Sequence, residues 1–542
     1  MTKRRQPRLL IASRNLALLR AHHEEVIVAL VRAGVQVGIR YKEDKGLSAD
    51  SYRTTLLQRG CSVSVSRLPR GMSPSRRRSG DLLAFRLRQL TNLLRYYHPD
   101  YRGREWLRER WFSGTASGPV KWARRLGRLG SRISLLAMRL ALSVDRVLPP
   151  SEPARALLAS ERPDAVVTVA MVWNPELVDV LKAAAREHIP TATWIQSWDN
   201  LSNKGLLHFT PDRVFVWNDT QRDELVRYHG VPAQHVCITG AQSFDHWFNG
   251  ESPSDRAEFC TQNGIDPERP IILYLASSIQ IEPPPADFFL RWLEAIRSSG
   301  DPALEDASVL VRPHPYDVRH WLELDLSDPG LAVSPSSTEA PIHSAEFRQR
   351  YRDELHHASV AVGLNTSGMI DAAIFGKPVC TVELPELADR QRGTVHFEYL
   401  MNAGNGFLRT AASFEEHIDI LSDLVRHDPY QSDERSARFV HAFVRPDGVD
   451  VTPGAVFAEE MLRLLEAPSE LGLPGRPARA VGRLIRLAAP VLVMPFETGW
   501  RRRFLLVRPR PGQTGVKRIR HFLFIVLPLG IRVRWERLRR RF

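Results

Sequence analysis

The sequence predicts an α/β protein made of two Rossmann-like domains facing each other across a cleft. Three observations predict it. Short apolar runs alternate with segments of helical period along most of the chain; the alternation stops at a Pro- and polar-rich stretch, about 249–269, and then starts again. The chain has 542 residues, 43% hydrophobic and 25% charged, enough material for more than one core. At about 150 residues per domain the length suits two to four domains. The composition excludes a disordered, collagen-like or disulfide-stapled chain.

In order, residues 8–12 read as a buried strand, 22–33 as a helix with Val26, Ile27, Leu30 and Val31 on one face, and 35–39 as a second strand after Gly34. Strand–helix–strand is the unit of a parallel sheet. A basic segment, 62–148, interrupts it, with Phe85, Leu87, Leu90, Leu93 and Leu94 between arginines and an amphipathic helical stretch over 121–142. The rhythm resumes with strands at 164–169, 191–195, 213–217 and 236–239 and helices at 176–187 and 220–229. Beyond the linker, strands are expected at 270–275, 308–312, 359–364 and 378–382, and helices at 288–297, 369–375 and 455–466, the last ending the second half. The expected division is 1–250 for an N-terminal Rossmann-like domain with the basic insertion, 268–468 for a C-terminal Rossmann-like domain, and 469–542 for a basic amphipathic tail. The tail's apolar runs, 487–496 and 521–531, fall short of the roughly 20 residues of a spanning helix and contain proline.

The net charge of +14 has a strong local structure. Residues 62–148 hold 19 Arg/Lys against 5 Asp/Glu, and 476–542 hold 18 against 2, so the remainder of the chain is acidic. Only 8 of the 75 basic residues are lysine, a bias that explains the choice of arginine but not its clustering. Arginine interleaved with Leu, Phe, Trp and Ile suits a helix lying on an anionic membrane surface; the rival readings are a protein partner and nucleic acid, and the acidic body and lack of a nucleic-acid motif oppose the latter. The four scattered cysteines, Cys61, Cys237, Cys260 and Cys380, form no C-x-x-C pair and suit reduced thiols. The start runs into a strand-like segment without a signal-peptide apolar region, so the expectation is a cytoplasmic protein, peripheral on the inner membrane.

Four motifs carry the chemistry. Asn365-Thr366-Ser367-Gly368 follows the strand 359–364 where a helix begins, a place where free N–H groups and hydroxyls receive a phosphate; the plainer reading is an ordinary N-cap. Arg312-Pro313-His314-Pro315 ends the strand 308–312, where sheets of this kind line their ligand crevice, or is a Pro-rich turn. The loop Ser197-Trp198-Asp199-Asn200 through Lys204 offers substrate contacts and a candidate general base in Asp199, or is an Asx-type turn. Gly240, with Gln242 and Asp245 after it, either lets backbone approach a ligand or simply turns the chain. His22 and His23 begin the first helix as less favoured bases or as part of a solvated turn. There is no D-x-D pair, P-loop, G-x-S-x-G elbow, H-E-x-x-H helix or G-x-G-x-x-G turn, so neither a metal site nor a dinucleotide cofactor is expected.

Taken in register, these motifs resemble bacterial surface-polysaccharide transferases of the GT-B fold, close to the CDP-glycerol glycerophosphotransferase-like group. The residues that carry the resemblance are Ser197–Gly205, Val216-Trp217-Asn218, Thr239–Asp245, Arg312–Pro315, Asn365–Asp371 with Gly376–Val379, and Phe443–Gly448. It covers about 160–465 and, more loosely, the first 40 residues. The resemblance implies a nucleotide-activated donor in the C-terminal half, with Arg312, His314, Thr366 and Ser367 facing its diphosphate, and a glycan or lipid-linked hydroxyl acceptor in the N-terminal half. The family string Asp-Tyr-Ser-Ser is replaced here by Leu364-Asn365-Thr366-Ser367, which favours a sugar donor over glycerol phosphate. The expected function is metal-independent sugar transfer. Polyol-phosphate transfer from a CDP donor, a nucleotide-sugar epimerase and, more distantly, a non-catalytic membrane-docked binding module are the alternatives.

Overall fold

The computed structural model describes residues 5–493, apart from 44–46, 70–71, 73–78, 170–173, 175–176, 249–251, 283–285, 337–343, 472–473 and single positions at 316, 325, 327, 427, 467 and 470. The tail segment 494–542, including the apolar run 521–531, and the side chain of His22 lie outside the described residues.

Two sheets, both wholly parallel, organise the chain. The first contains β1 (Arg8–Asn15), β2 (Gln36–Glu43), β3 (Ser64–Arg67), β4 (Ala165–Val169), β5 (Thr191–Trp194), β6 (Arg213–Val216) and β7 (Val236–Ile238), in the order β3-β2-β1-β4-β5-β6-β7. The second contains β8 (Ile271–Leu275), β9 (Ser308–Arg312), β10 (Leu331–Val333), β11 (Val360–Gly363), β12 (Val379–Val382) and β13 (Leu408–Ala411), in the order β10-β9-β8-β11-β12-β13. Central strands such as β4 (Ala-Val-Val-Thr-Val) and β8 (Ile-Ile-Leu-Tyr-Leu) are buried along their whole length because helices cover both faces. In each sheet the order reverses between a central pair, β1/β4 or β8/β11. Loops leaving such a pair diverge to opposite faces and open a crevice at the carboxyl edge. Two domains of this kind in one chain make a GT-B-like α/β architecture.

Packing revises several expected boundaries. The stretch 249–269 contains the helix Arg256–Asn263, whose cap Asp255 accepts from the N–H of Ala257. The basic segment opens with β3, an edge strand of the first sheet, so the inserted helices run from Ser79–Leu94 through Glu105–Ser113 and Ser117–Arg128 to Ser131–Val147. The helix Pro453–Glu466 belongs to the first domain and does not end the second. Its Phe457 lies 4.5 Å from Trp194 and 4.3 Å from Phe215, centroid to centroid, within the core that also holds Leu9, Ile11 and Val167.

The chain therefore crosses between the domains twice, near 240–245 and near 444–453, and the crossings are fastened together. The N–H of Ala241 donates to the carbonyl of Val444 at 2.9 Å. Asp245 pairs with Arg445 at 3.1 Å and accepts from the N–H of Gly454 at 2.9 Å. Gly240 has φ +80°, and a Cβ there would lie 2.7 Å from Pro453 Cγ.

Part of the insertion's charge is turned inward. Arg88 is fully buried between Asp145 and Asp179, 2.8 Å from each. Removing one member of such a group leaves a buried charge uncompensated, at a cost of about 3–5 kcal/mol.

Candidate functional site

The loop Ser197–Gly205 leaves the carboxyl end of β5 and contains one short helical turn, Asn200–Asn203. Its backbone is held by the insertion. Arg95 donates to the carbonyls of Lys204 (2.8 Å), Gly205 (3.0 Å) and Leu201 (2.6 Å). The hydroxyls of Tyr101 and Tyr96 donate to the carbonyls of Ser202 (2.6 Å) and Asn203 (3.1 Å), and the Trp111 indole donates to that of Asn203 (2.7 Å). The arginine- and aromatic-rich segment thus acts inside the molecule, where it shapes a loop of the first domain.

Within that loop Asp199 and Lys204 form an ion pair at 2.7 Å. Burial alone would raise the Asp199 pKa, but the charge and hydrogen bond of Lys204 outweigh it and hold the carboxyl well below the usual carboxylate range. Such a carboxylate is a good acceptor of hydrogen bonds and a weak base. Opposite it stands His396 of the second domain, its ring edge-on to Trp198 at 4.5 Å. Burial depresses the His396 pKa to about 4, so the imidazole is neutral near pH 7. A second contact joins the domains nearby: the Tyr399 hydroxyl donates to Glu224 at 2.6 Å, and burial pushes the Glu224 pKa up to about 7.

The second domain supplies the other end of the site. Asn365 follows β11 at the reversal point, with its N–H donating to Ser277 Oγ (3.3 Å) and its side-chain amide to the Arg390 carbonyl (2.7 Å) and Thr394 Oγ1 (3.2 Å). A half-open cavity of about 640 Å³ lies here, bounded by Ile281, Glu282, Phe288, Leu364, Leu387 and Arg390. Glu282 accepts from the Tyr274 hydroxyl at 2.5 Å, and burial raises its pKa to about 7. Thr366 is half-buried and Ser367 exposed, with Thr366 Oγ1 3.4 Å from the Gly368 N–H. His314, after β9, sits beside Asp317 at 3.5 Å, and burial lowers its pKa. Its loop borders that of Ser277, since the N–H of Ile279 donates to Asp317 at 3.1 Å.

Asn365, Thr394, His396, Trp198 and Asp199 therefore form a continuous path from one carboxyl edge to the other. Along and beside it, Gln196 Nε2, Asn200 Oδ1, Asn203 Oδ1, Asn365 Oδ1 and His396 Nδ1 are buried and make no hydrogen bond within the chain. Each such group costs about 1–3 kcal/mol when left unmatched, so each of these five atoms along the seam would gain from a polar partner.

Four of the sequence-selected residues have other work. Arg312 is buried against Glu354 at 2.8 Å and stacked between Phe347 and Tyr351, each ring centroid 4.4 Å away, so its guanidinium serves the domain's interior and not a diphosphate. Gly240 and Asp245 lock the two crossings. Gln242 lies 3.4 Å from His23 of the first helix, which is stacked on Trp194 at 4.2 Å. His396, Glu224, Tyr399 and Arg390 carry no signal in the sequence: no motif surrounds them, the first three acquire their partners only when the domains meet, and Arg390 meets Asn365 and Ile281 only in the folded second domain. Among the described residues no group of three or more His, Cys, Asp or Glu is arranged to hold a metal ion.

No protein-family model and no curated protein sequence matches the chain. Solved structures with a similar course include the UDP-GlcNAc 2-epimerase of Methanocaldococcus jannaschii (11% identity, TM-score 0.47, 84% of this chain and 99% of that one). They also include the UDP-GlcNAc 2-epimerase of Neisseria meningitidis bound to UDP-GlcNAc (11%, 0.46, 85% and 99%). A glycosyltransferase of kitacinnamycin is similar as well (12%, 0.42, 85% and 100%). These likenesses are remote, and the site is described by this chain's own residues. Among the described residues no helix is long and apolar enough to cross a membrane.

Proposed function

We propose that the seam binds a nucleotide-activated sugar and that the protein transfers the sugar to a hydroxyl of a glycan or lipid-linked acceptor. The observation that carries this reading is the path of buried, unmatched polar groups joining the reversal point of the second sheet to the loop after β5. The nucleotide would occupy the cavity beside Asn365 and Arg390, whose volume of about 640 Å³ is within the usual range for small-molecule pockets. Thr366, Ser367 and His314 border the same edge and would donate to the diphosphate as it leaves, where donors fixed in advance are worth most. The acceptor hydroxyl would lie against Asp199. That carboxylate, held ionised by Lys204, orients the hydroxyl and receives its proton late, as the bond to the sugar forms.

The test is a thermal-shift screen of nucleoside diphosphates and nucleotide sugars, followed by product analysis with the one that binds. Binding should weaken at least about tenfold in Asn365→Ala, which removes two hydrogen bonds at the pocket wall. Free nucleoside diphosphate should accumulate only with acceptor present. A sugar converted while still attached to its nucleotide would establish an epimerase instead, and no shift with any nucleotide would remove the donor-site reading.

A further inference from the structure

Two helices far apart in sequence lie side by side and carry matching outer faces. Ser131–Val147 of the insertion and Arg476–Leu492, beyond the second domain, pack against the helix Ser79–Leu94 and against each other. Their approach is close: a Cβ on Gly482 would stand 1.9 Å from the carbonyl oxygen of Val147. Arg486 fastens the second helix, pairing with Asp81 at 2.8 Å and donating to the Pro150 carbonyl at 3.2 Å. The buried sides are Ser134, Ala141 and Asp145 on one helix and Gly482 and Ala489 on the other.

The opposite sides are apolar and open to solvent. Leu136 and Leu140 are 58% and 60% exposed, and Leu484 and Leu487 are 65% and 64% exposed. Ile133 extends the first row, and Val481 and Val491 the second, at steps of three and four residues that keep each row on one face. A single exposed leucine needs no explanation, whereas two neighbouring stripes mark an interaction surface. Arginines border both stripes. Arg132, Arg139 and Arg146 recur every seventh residue on the first helix, and Arg476 and Arg483 do so on the second, all exposed. Positive charge gathers where the second helix meets the first domain: burial, with the like charges of Arg155, Arg479, Arg483 and Arg486, lowers the pKa of Arg186.

We propose that these two helices form one membrane-docking face, the leucine stripes entering the interfacial layer and the arginine rows resting on anionic phospholipid headgroups. An apolar stripe edged by a cationic row matches a surface whose hydrocarbon and negative charge are separated by depth. The face stands apart from the seam, and the proposal does not rest on what the seam binds.

Flotation of the full chain with phosphatidylcholine vesicles, with and without phosphatidylglycerol, tests it. Binding should require phosphatidylglycerol and weaken with salt. The variant Leu136→Glu/Leu140→Glu/Leu484→Glu/Leu487→Glu should bind more than about tenfold more weakly with an unchanged melting temperature. Arg132→Gln/Arg139→Gln/Arg476→Gln/Arg483→Gln should reduce affinity roughly fivefold per arginine in contact and blunt the salt dependence. Absence of flotation in the parent chain, or undiminished flotation of the leucine variant, overturns the proposal. So does a parent that is dimeric in solution and becomes monomeric in the leucine variant, because the face then belongs to a second copy of the chain.

Discussion

A group that holds its own proton loosely pulls weakly on another, and the ion pair with Lys204 makes Asp199 a weak base. Lys204→Met should destabilise the protein by about 3 kcal/mol in urea unfolding, because it strands the Asp199 charge, and Asp199→Asn/Lys204→Met should recover much of that loss. A double variant as unstable as Lys204→Met would show that the charge was not the cause. His314→Ala should lower turnover roughly a hundredfold with the fold intact, the cost of one fixed donor to a leaving group; full activity would remove His314 from the site. At this scale the sequence is informative where partners are close along the chain: Asp199 and Lys204 stand in one loop, and both are legible there. It is silent where partners are distant. Arg312 reads as a phosphate ligand until Glu354, 42 residues later, is found against it, and His396 has no neighbouring motif to announce it.

Elements are legible in proportion to how completely their residues are buried. The central strands β1, β4, β8 and β11 are apolar runs, and they lie where those runs predict. The three strands that escape such a reading, β3, β10 and β13, are the outer strands of their sheets; β3 reads Ser-Val-Ser-Arg, with little apolar surface to betray it. The helix Ala345–His357 escapes it too, although Phe347, Tyr351 and Leu355 recur at every fourth position in an otherwise charged segment. Two outcomes belong to this scale. Gly240→Ala should lower stability by about 2 kcal/mol, since alanine must take a positive φ and crowd Pro453 where the crossings are pinned; calorimetry on the full chain reads the loss. In the helix Phe414–Val425, the ring of the buried His417 makes no hydrogen bond, and burial lowers its pKa to about 3. Unfolded, it would protonate near pH 6.5, so its contribution to stability is present above that pH and drains away as pH falls toward 3. His417→Leu should therefore raise the melting temperature at pH 5 more than at pH 8, and an equal effect at both would refute the assignment.

Across the whole molecule, the domain division departs from the expected one because the last helix of the series, Pro453–Glu466, returns to the first sheet; periodicity identifies a helix but not the core it joins. Glu224 and Tyr399 make the interface between the domains sensitive to pH. The folded pKa of Glu224, about 7, lies above its unfolded value near 4.5, so the stability it provides is complete below pH 4.5 and is lost as pH rises through 7. The loss should approach about 3 kcal/mol at pH 8, and Glu224→Gln, which keeps an acceptor for the Tyr399 hydroxyl, should flatten that part of the stability–pH curve. Parallel curves for the two proteins would rule the interface carboxyl out. The insertion also bears on how the loop after β5 can change over time. Arg95, Tyr96, Tyr101 and Trp111 grip the loop Ser197–Gly205 by its main-chain carbonyls, which every amino acid possesses. The loop's shape is thereby uncoupled from the identity of most of its side chains. Substitutions at Ser197, Asn200 or Asn203 leave those main-chain anchors in place, so the chemistry the loop presents can change while its frame persists.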